Sequence, residues 1–283
     1  MSDPEILRYS AFSSDPAGGN PAGVVLDAGR LDAADMQRIA ADVDFAETAF
    51  VIAQRADGAL GIRYFSPVAE VPFCGHATVA TAVALAERGH ADGDTIVFAT
   101  AVGDIRIEVE RSADGVRAAF TSVEPAVREL PDGDRDAILG LLSLTTADLD
   151  PALPPRLSDA GNPHPILVLA DARPFDTFAF DPDRVRTLMD DRGWPATITV
   201  ARRLGPDRFA ARNLFPVGRI TEDPATGSAA ASLGAYLRSL DAVAVPGRIT
   251  IAQGAHVGRP SRLRVDIPAR GGIRVSGAAV AMT

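Results

Sequence analysis

Glu70–Ala77 reads EVPFCGHA and Glu222–Ala229 reads EDPATGSA, two copies of the frame E-x-P-x-x-G-x-A. Each runs into an alanine-rich stretch of helical length, ATVATAVALAERG after the first and AAASLGAYLRS after the second. Upstream, Arg63-Tyr64-Phe65 is answered by Arg212-Asn213-Leu214, and the strand-like ETAFVIA from Glu47 by ATITVAR from Ala196. Farther out, Asp32 before AADMQRIA is answered by Asp181 before PDRVRTLM, and GNPAGVV at 19–25 by GNPHPILV at 161–168. Downstream of each glycine motif the sequence turns β-rich, with TIVFATAVGDIRIEVE in the first half and RITIAQGAHVGRPSRLRVDI in the second. Landmarks repeated in one order mark a duplicated structural unit. Asp32 and Asp181 suit helix N-caps, and Pro182 suits a first helical position. The pattern predicts an α+β fold of two pseudo-symmetric domains, each a mixed sheet curled around a mostly apolar helix that starts at the glycine motif. The boundary is placed between 1–125 and 126–271, with SVEPAVRELPDGDR at 122–135, rich in proline and charge, read as the crossover.

The size of the chain agrees: 283 residues accommodate two domains of roughly 130–150 residues, each with its own core. A formal net charge of −9 offers no footprint for nucleic acid or an anionic membrane surface. The N-terminal MSDPEILRYS lacks the basic and apolar regions of a leader, and no apolar run approaches bilayer length, so the expectation is a cytoplasmic protein. All 28 basic residues are arginine, which excludes lysine Schiff-base chemistry and the phosphate-loop lysine. His76, His90, His164 and His256 are scattered and Cys74 is the lone cysteine, so no metal site is expected from spacing.

A duplication makes its unmatched positions informative. Glu47 is answered by Ala196, Val71 by Asp223, Cys74 by Thr226 and His76 by Ser228. Taken singly, Glu47 reads as a strand-end carboxylate, Asp223 and Ser228 as helix caps, and Cys74 as a small buried apolar residue. Taken together, a histidine and two carboxylates at the starts of corresponding elements suit acid–base chemistry in a cleft between domains. Two helix N-termini beginning at Gly75 and Gly227 would offer amide N–H groups to a carboxylate ligand and keep His76 neutral. Glu70 and Glu222 are matched, which assigns them to structure.

These motifs, GGNPAGVV, ETAFV, FSPVAEVPFCGHAT, EDPATGSAAA and QGAHVGRPS, resemble those of the PhzF-like phenazine-biosynthesis isomerases over essentially the whole chain. The resemblance implies the diaminopimelate epimerase-like fold, a last strand within 272–283 that crosses back to the first domain, a homodimer and no cofactor. It places the catalytic glutamate on Glu47, the GHAT histidine on His76, and the DPATGS aspartate and serine on Asp223 and Ser228; around them the expected substrate-binding residues are Gly75, Gly227, Thr226 and Cys74. Related racemases use a thiol pair; Cys74 resembles the first thiol, and DPAT at 223–226 contains no second. The expected function is a cofactor-independent isomerase or epimerase moving a proton on a small carboxylic acid. The alternatives are a one-thiol dehydratase or lyase using Cys74, and a non-catalytic carboxylate-binding protein.

Overall fold

The structure, a computed structural model, describes residues 4–91, 93–113, 115–217 and 220–282. Residues 1–3, on which part of the leader reading rests, lie outside that set. The chain divides into two compact units, Met1–Thr121 with Ser276–Thr283, and Ser122–Val275. Among the described residues no helix is long and apolar enough to cross a membrane.

The first unit contains β1 (Leu7–Ala11), β2 (Asn20–Val25), α1 (Ala33–Val43), β3 (Glu47–Gln54), β4 (Leu60–Phe65), β5 (Glu70–Val71), α2 (Gly75–Glu87), β6 (Thr95–Thr100), β7 (Gly103–Ser112) and β8 (Gly115–Thr121). Asp32 caps α1 by accepting from the Asp35 amide at 2.9 Å. The helix then buries Met36, Ile39, Ala40 and Val43, spaced for one helical face, against Val25, Phe50 and Phe65. This helix carries the parallel crossover from β2 to β3, and β4 pairs antiparallel with β3 and β5. Helix α2 carries the second parallel crossover, from β4 to β6, and β6, β7 and β8 continue as an antiparallel meander. Every residue of α2 from His76 to Leu85 is buried, so the helix is enclosed on all sides rather than amphipathic. It packs on β1, β2, β3, β7 and β8. Its Ala, Thr and Val side chains are short enough for surrounding strands to approach closely. Strand β17, defined below, closes the sheet by pairing with β1 and β8.

The second unit contains β9 (Ala126–Glu129), α3 (Asp132–Leu141), β10 (Arg156–Asp159), β11 (Pro163–Leu169), α4 (Ala172–Thr177), α5 (Pro182–Arg192), β12 (Ile198–Gly205), β13 (Arg208–Val217), β14 (Ile220–Asp223), α6 (Gly227–Ser239), β15 (Gly247–Gln253) and β16 (Ser261–Ile267). Strand β17 (Arg274–Ala281) then runs into the first unit, with Tyr9 opposite Ala281. Pairing senses follow one series: β11–β12 parallel, β12–β13 and β13–β14 antiparallel, β13–β15 parallel, β15–β16 antiparallel. The series β2–β3, β3–β4, β4–β5, β4–β6 and β6–β7 has the same senses in the same order. Asp181 caps α5 by accepting from the Asp183 and Arg184 amides, with Pro182 in the first turn. Helix α6 is buried from Ala229 to Leu237, and Gly234 lets it approach the sheet: a Cβ there would lie 2.9 Å from Val265.

The crossover reading of 122–135 is corrected. Residues 126–129 form β9, paired antiparallel with β10, and Asp132 begins α3. Its prolines precede elements rather than prevent them: Pro125 stands just before β9, Pro131 is the N-cap residue of α3, and Leu130 beside it is buried in the core with Ile138, Leu157 and Trp194.

The matched arginine–glutamate pairs are structural. Arg63 donates two hydrogen bonds of 2.7 Å to Glu70 across β4 and β5 on an exposed face. In the second unit Arg212 is buried against Glu222, donates to the carbonyls of Phe175 and Phe178 at 3.0 Å, and lies 3.5 Å above the Phe178 ring.

Candidate active site

In the first unit the structure gathers Glu47, Cys74 and His76. Glu47 is the first residue of β3, Cys74 is the N-cap of α2, and His76 is in the first turn of that helix. Glu47 Oε2 lies 3.4 Å from His76 Nε2 and 3.5 Å from Cys74 Sγ, and Cys74 Sγ lies 3.3 Å from His76 Nδ1. Cys74 and His76 are buried and Glu47 is partly exposed, so the carboxylate is the cluster's route to solvent. Cys74 makes no side-chain cap; instead its carbonyl accepts from the Thr78 amide and hydroxyl, and Thr78 Oγ1 is 2.6 Å from the Tyr64 hydroxyl. This buried chain fixes where α2 begins.

Burial pushes the His76 pKa down to about 4, against a hydrogen bond to the Pro21 carbonyl that acts in the opposite direction. The ring is therefore neutral at physiological pH, and its approach to Glu47 is a carboxylate–imidazole contact rather than an ion pair. Neutrality of His76 was expected from the helix field, whereas the largest cause is loss of hydration. A neutral imidazole has one N–H. With that proton on the Pro21 carbonyl, the other nitrogen accepts, from the Cys74 thiol or from the acid form of Glu47.

The second unit gathers Asp223, Thr226 and Ser228 with two residues the sequence reading left out. Thr226 Oγ1 donates to Asp223 Oδ2 at 2.5 Å, and Gln253 Nε2 donates to the Asp223 carbonyl at 2.7 Å and to Thr226 Oγ1 at 3.0 Å. Ser228 Oγ lies 3.1 Å from Nε2 of buried His164, whose Nδ1 is 3.1 Å from the Thr197 carbonyl and 3.0 Å from its hydroxyl. Thr197 and Thr199 both donate to Asn213 Oδ1. Burial pushes the His164 pKa down to about 4 as well, with the Thr197 hydrogen bond opposing it. Nδ1–H bonded to the Thr197 carbonyl leaves Nε2 to accept from Ser228, so the serine oxygen presents its lone pairs outward. The capping reading of Asp223 and Ser228 is corrected: Thr226 is the N-cap of α6, and that cap has no side-chain hydrogen bond.

Gly75 and Gly227 are the first residues of α2 and α6. A Cβ at Gly75 would meet nothing nearer than the Phe120 ring at 3.8 Å, so the protein's own packing does not require glycine there. His164 was visible in principle, because GNPH at 161–164 answers GNPA at 19–22 and sets His164 against Ala22. Gln253 has no such signal; its role exists only because β15 ends beside the start of α6.

The sequence pattern of the family described as phenazine biosynthesis-like protein matches residues 9–283. An "uncharacterized isomerase" of Deinococcus radiodurans is 35% identical over 274 residues, covering 94% of this chain and 88% of that protein. Trans-2,3-dihydro-3-hydroxyanthranilate isomerase of Pseudomonas chlororaphis is 34% identical over 253 residues, covering 89% and 86%. The crystal structure of the Bacillus anthracis phenazine biosynthesis protein of the PhzF family superposes with a TM-score of 0.87 at 26% identity, covering 100% of this chain and 98% of that one. A probable proline racemase from Agrobacterium radiobacter shares the fold alone, with a TM-score of 0.63 at 12% identity over 98% and 90% of the chains. The α+β fold, the buried glycine-motif helices and these matches together make the chain a member of the phenazine biosynthesis-like protein family.

Proposed function

We propose that the protein is a cofactor-independent isomerase that moves a proton between carbons of a small carboxylic acid, with Glu47 as the acid–base. The observation that carries this is the setting of the Glu47 carboxylate, between the Cys74 thiol at 3.5 Å and neutral His76 at 3.4 Å. A shuttle base must be held in both of its forms. The thiol donates to the carboxylate, and a bare imidazole nitrogen accepts from the carboxylic acid that arises once the proton has moved. A protonated histidine would hold only the first. The isomerase names of the relatives support the same reaction class.

Asp223 and Ser228 serve the same reaction by orienting the substrate, with Thr226, Cys74 and the amides near Gly75 and Gly227 completing the binding of its carboxylate. Asp223 is oriented by Thr226, and Ser228 by His164. The repeated order of pairing senses supports descent by duplication and a pseudo-symmetric pair of domains. A homodimer in the cytoplasm belongs to the same proposal.

The test begins with a thermal-shift screen of small carboxylates, followed by deuterium wash-in at the reacting carbon by NMR. Glu47→Gln keeps the shape and lacks the titrating base, so exchange falls by about 10²-fold or more while binding survives. Cys74→Ala costs at least an order of magnitude less. Exchange that persists in Glu47→Gln and vanishes in folded Cys74→Ala would instead identify the one-thiol lyase.

A further inference from the structure

Gln253 is the last residue of β15, and its buried side chain reaches the turn between β14 and α6. Two backbone groups fix which end of its amide is nitrogen. The Asp223 carbonyl, 2.7 Å away, can only accept, and the Thr226 N–H, 3.3 Å away, can only donate. Nε2 therefore faces the carbonyl and Oε1 faces the N–H. The second hydrogen on Nε2 goes to Thr226 Oγ1 at 3.0 Å. Because that oxygen accepts from Gln253, its own proton points away from the amide, and Asp223 Oδ2 stands 2.5 Å from it. The hydrogen bonds thus run in one direction, from Gln253 to Thr226 to the Asp223 carboxylate.

Two further observations separate this chain of bonds from the packing of an ordinary turn. Thr226 is the N-cap of α6, where a hydroxyl usually accepts from an amide two or three residues on, yet that cap has no side-chain hydrogen bond. The duplicated first unit also lacks the arrangement. With Arg63 answering Arg212, the pair Leu60 and Phe98 answers the pair Phe209 and Ile251, which sets Thr100 in the place of Gln253. Thr100 instead donates to the Gly103 carbonyl of its own turn, and Val71 stands where the second unit has Asp223. The amide clamp accompanies the carboxylate.

The geometry points to Gln253 as a positioning residue: by donating to Thr226 Oγ1 it turns the hydroxyl proton onto Asp223 and so fixes the rotamer of the carboxylate that orients the substrate. Gly254, at φ 80°, brings the strand end this close, since a Cβ there would lie 2.5 Å from the Pro224 carbonyl oxygen. The effect on the reaction rests on the proposed role of Asp223, whereas the direction of the hydrogen bonds does not.

The test uses the full chain with Gln253→Met, which keeps the length of the side chain without its donors, and with Thr226→Val, Thr226→Ser and the double variant Gln253→Met/Thr226→Val. In the native sequence the Thr226 hydroxyl proton should give a downfield, slowly exchanging NMR signal. Thr226→Val removes that signal, and Gln253→Met should remove it too although Thr226 and Asp223 are both still present. Deuterium wash-in, measured on the small carboxylate returned by the thermal-shift screen, should fall by about 10-fold or more in Gln253→Met and in Thr226→Val. The double variant should be no slower than the slower single variant, because both changes break the same chain of bonds. Thr226→Ser keeps the hydroxyl and should stay close to the native rate. Losses that multiply in the double variant, or a hydroxyl signal that survives Gln253→Met, overturn the proposal and leave Gln253 serving only the turn. If Gln253→Met does not fold, the comparison of Thr226→Val with Thr226→Ser decides, since both leave the two backbone bonds of Gln253 in place; equal rates overturn the proposal. Native wash-in in a Gln253→Met protein that has lost the hydroxyl signal leaves the direction of the bonds standing and removes Asp223 from the proposed reaction.

Discussion

Acidification from pH 7 to pH 5 should destabilise this protein through two histidines that fold uncharged. His76 and His164 are both buried, with pKa values pushed down to about 4 chiefly by loss of hydration. In the unfolded chain each titrates near ~6.5. Between those values the unfolded state binds more protons than the folded state, so stability is retained above about 6.5 and is lost as the pH falls toward 4. For one such histidine the loss between pH 7 and pH 5 is about 2 kcal/mol, and for the pair about 4 kcal/mol. The assay is urea denaturation at pH 7, 6 and 5 for the native sequence and for His164→Gln. The substitution lowers stability at pH 7 by removing the partner of Ser228 and Thr197, but only its pH dependence matters here. The variant should lose about 2 kcal/mol less than the native sequence across that interval. Equal losses in the two proteins, or imidazole NMR signals that titrate near 6.5 in the folded state, would refute the reasoning.

The two matched ion pairs should respond differently to the same change. Glu222→Gln leaves the buried Arg212 guanidinium without its counter-charge and should cost about 3–5 kcal/mol, whereas Glu70→Gln breaks an exposed pair and should cost less than about 1 kcal/mol, both read by denaturant midpoints. Gly277→Ala tests how β17 joins the first unit. Its Cβ would fall 2.3 Å from the buried Phe12 ring, and thermal unfolding should report about 1–3 kcal/mol or more of destabilisation.

The legibility of the candidate site followed the kind of signal each residue left. Glu47, Cys74, His76, Asp223 and Ser228 stood out because the duplication supplied a counterpart lacking the same group. His164 left that signal as well, set against Ala22, but a histidine inside the apolar run of β11 reads as packing until its contacts with Ser228 and Thr197 are seen. At 122–135 the reading failed because β9 is only four residues long, and its partner β10 lies 27 or more residues away in sequence. Local composition registers the prolines and charges there and not the pairing.

By itself the sequence determined the series of elements that the two halves repeat, the caps at Asp32 and Asp181, the two enclosed helices that follow the glycine motifs, and the residues with no counterpart in the other half. These are properties of short windows and of comparing one window with another, and both can be read without coordinates. Only the tertiary structure decided which of those residues touch. That the Glu47 carboxylate meets Cys74 and His76, that Gln253 reaches Asp223 and Thr226, and that both neighbouring histidines stay neutral depend on burial and on distances between residues remote in sequence. Hydration and donor spacing are set by everything packed around a group, and no stretch of sequence contains that.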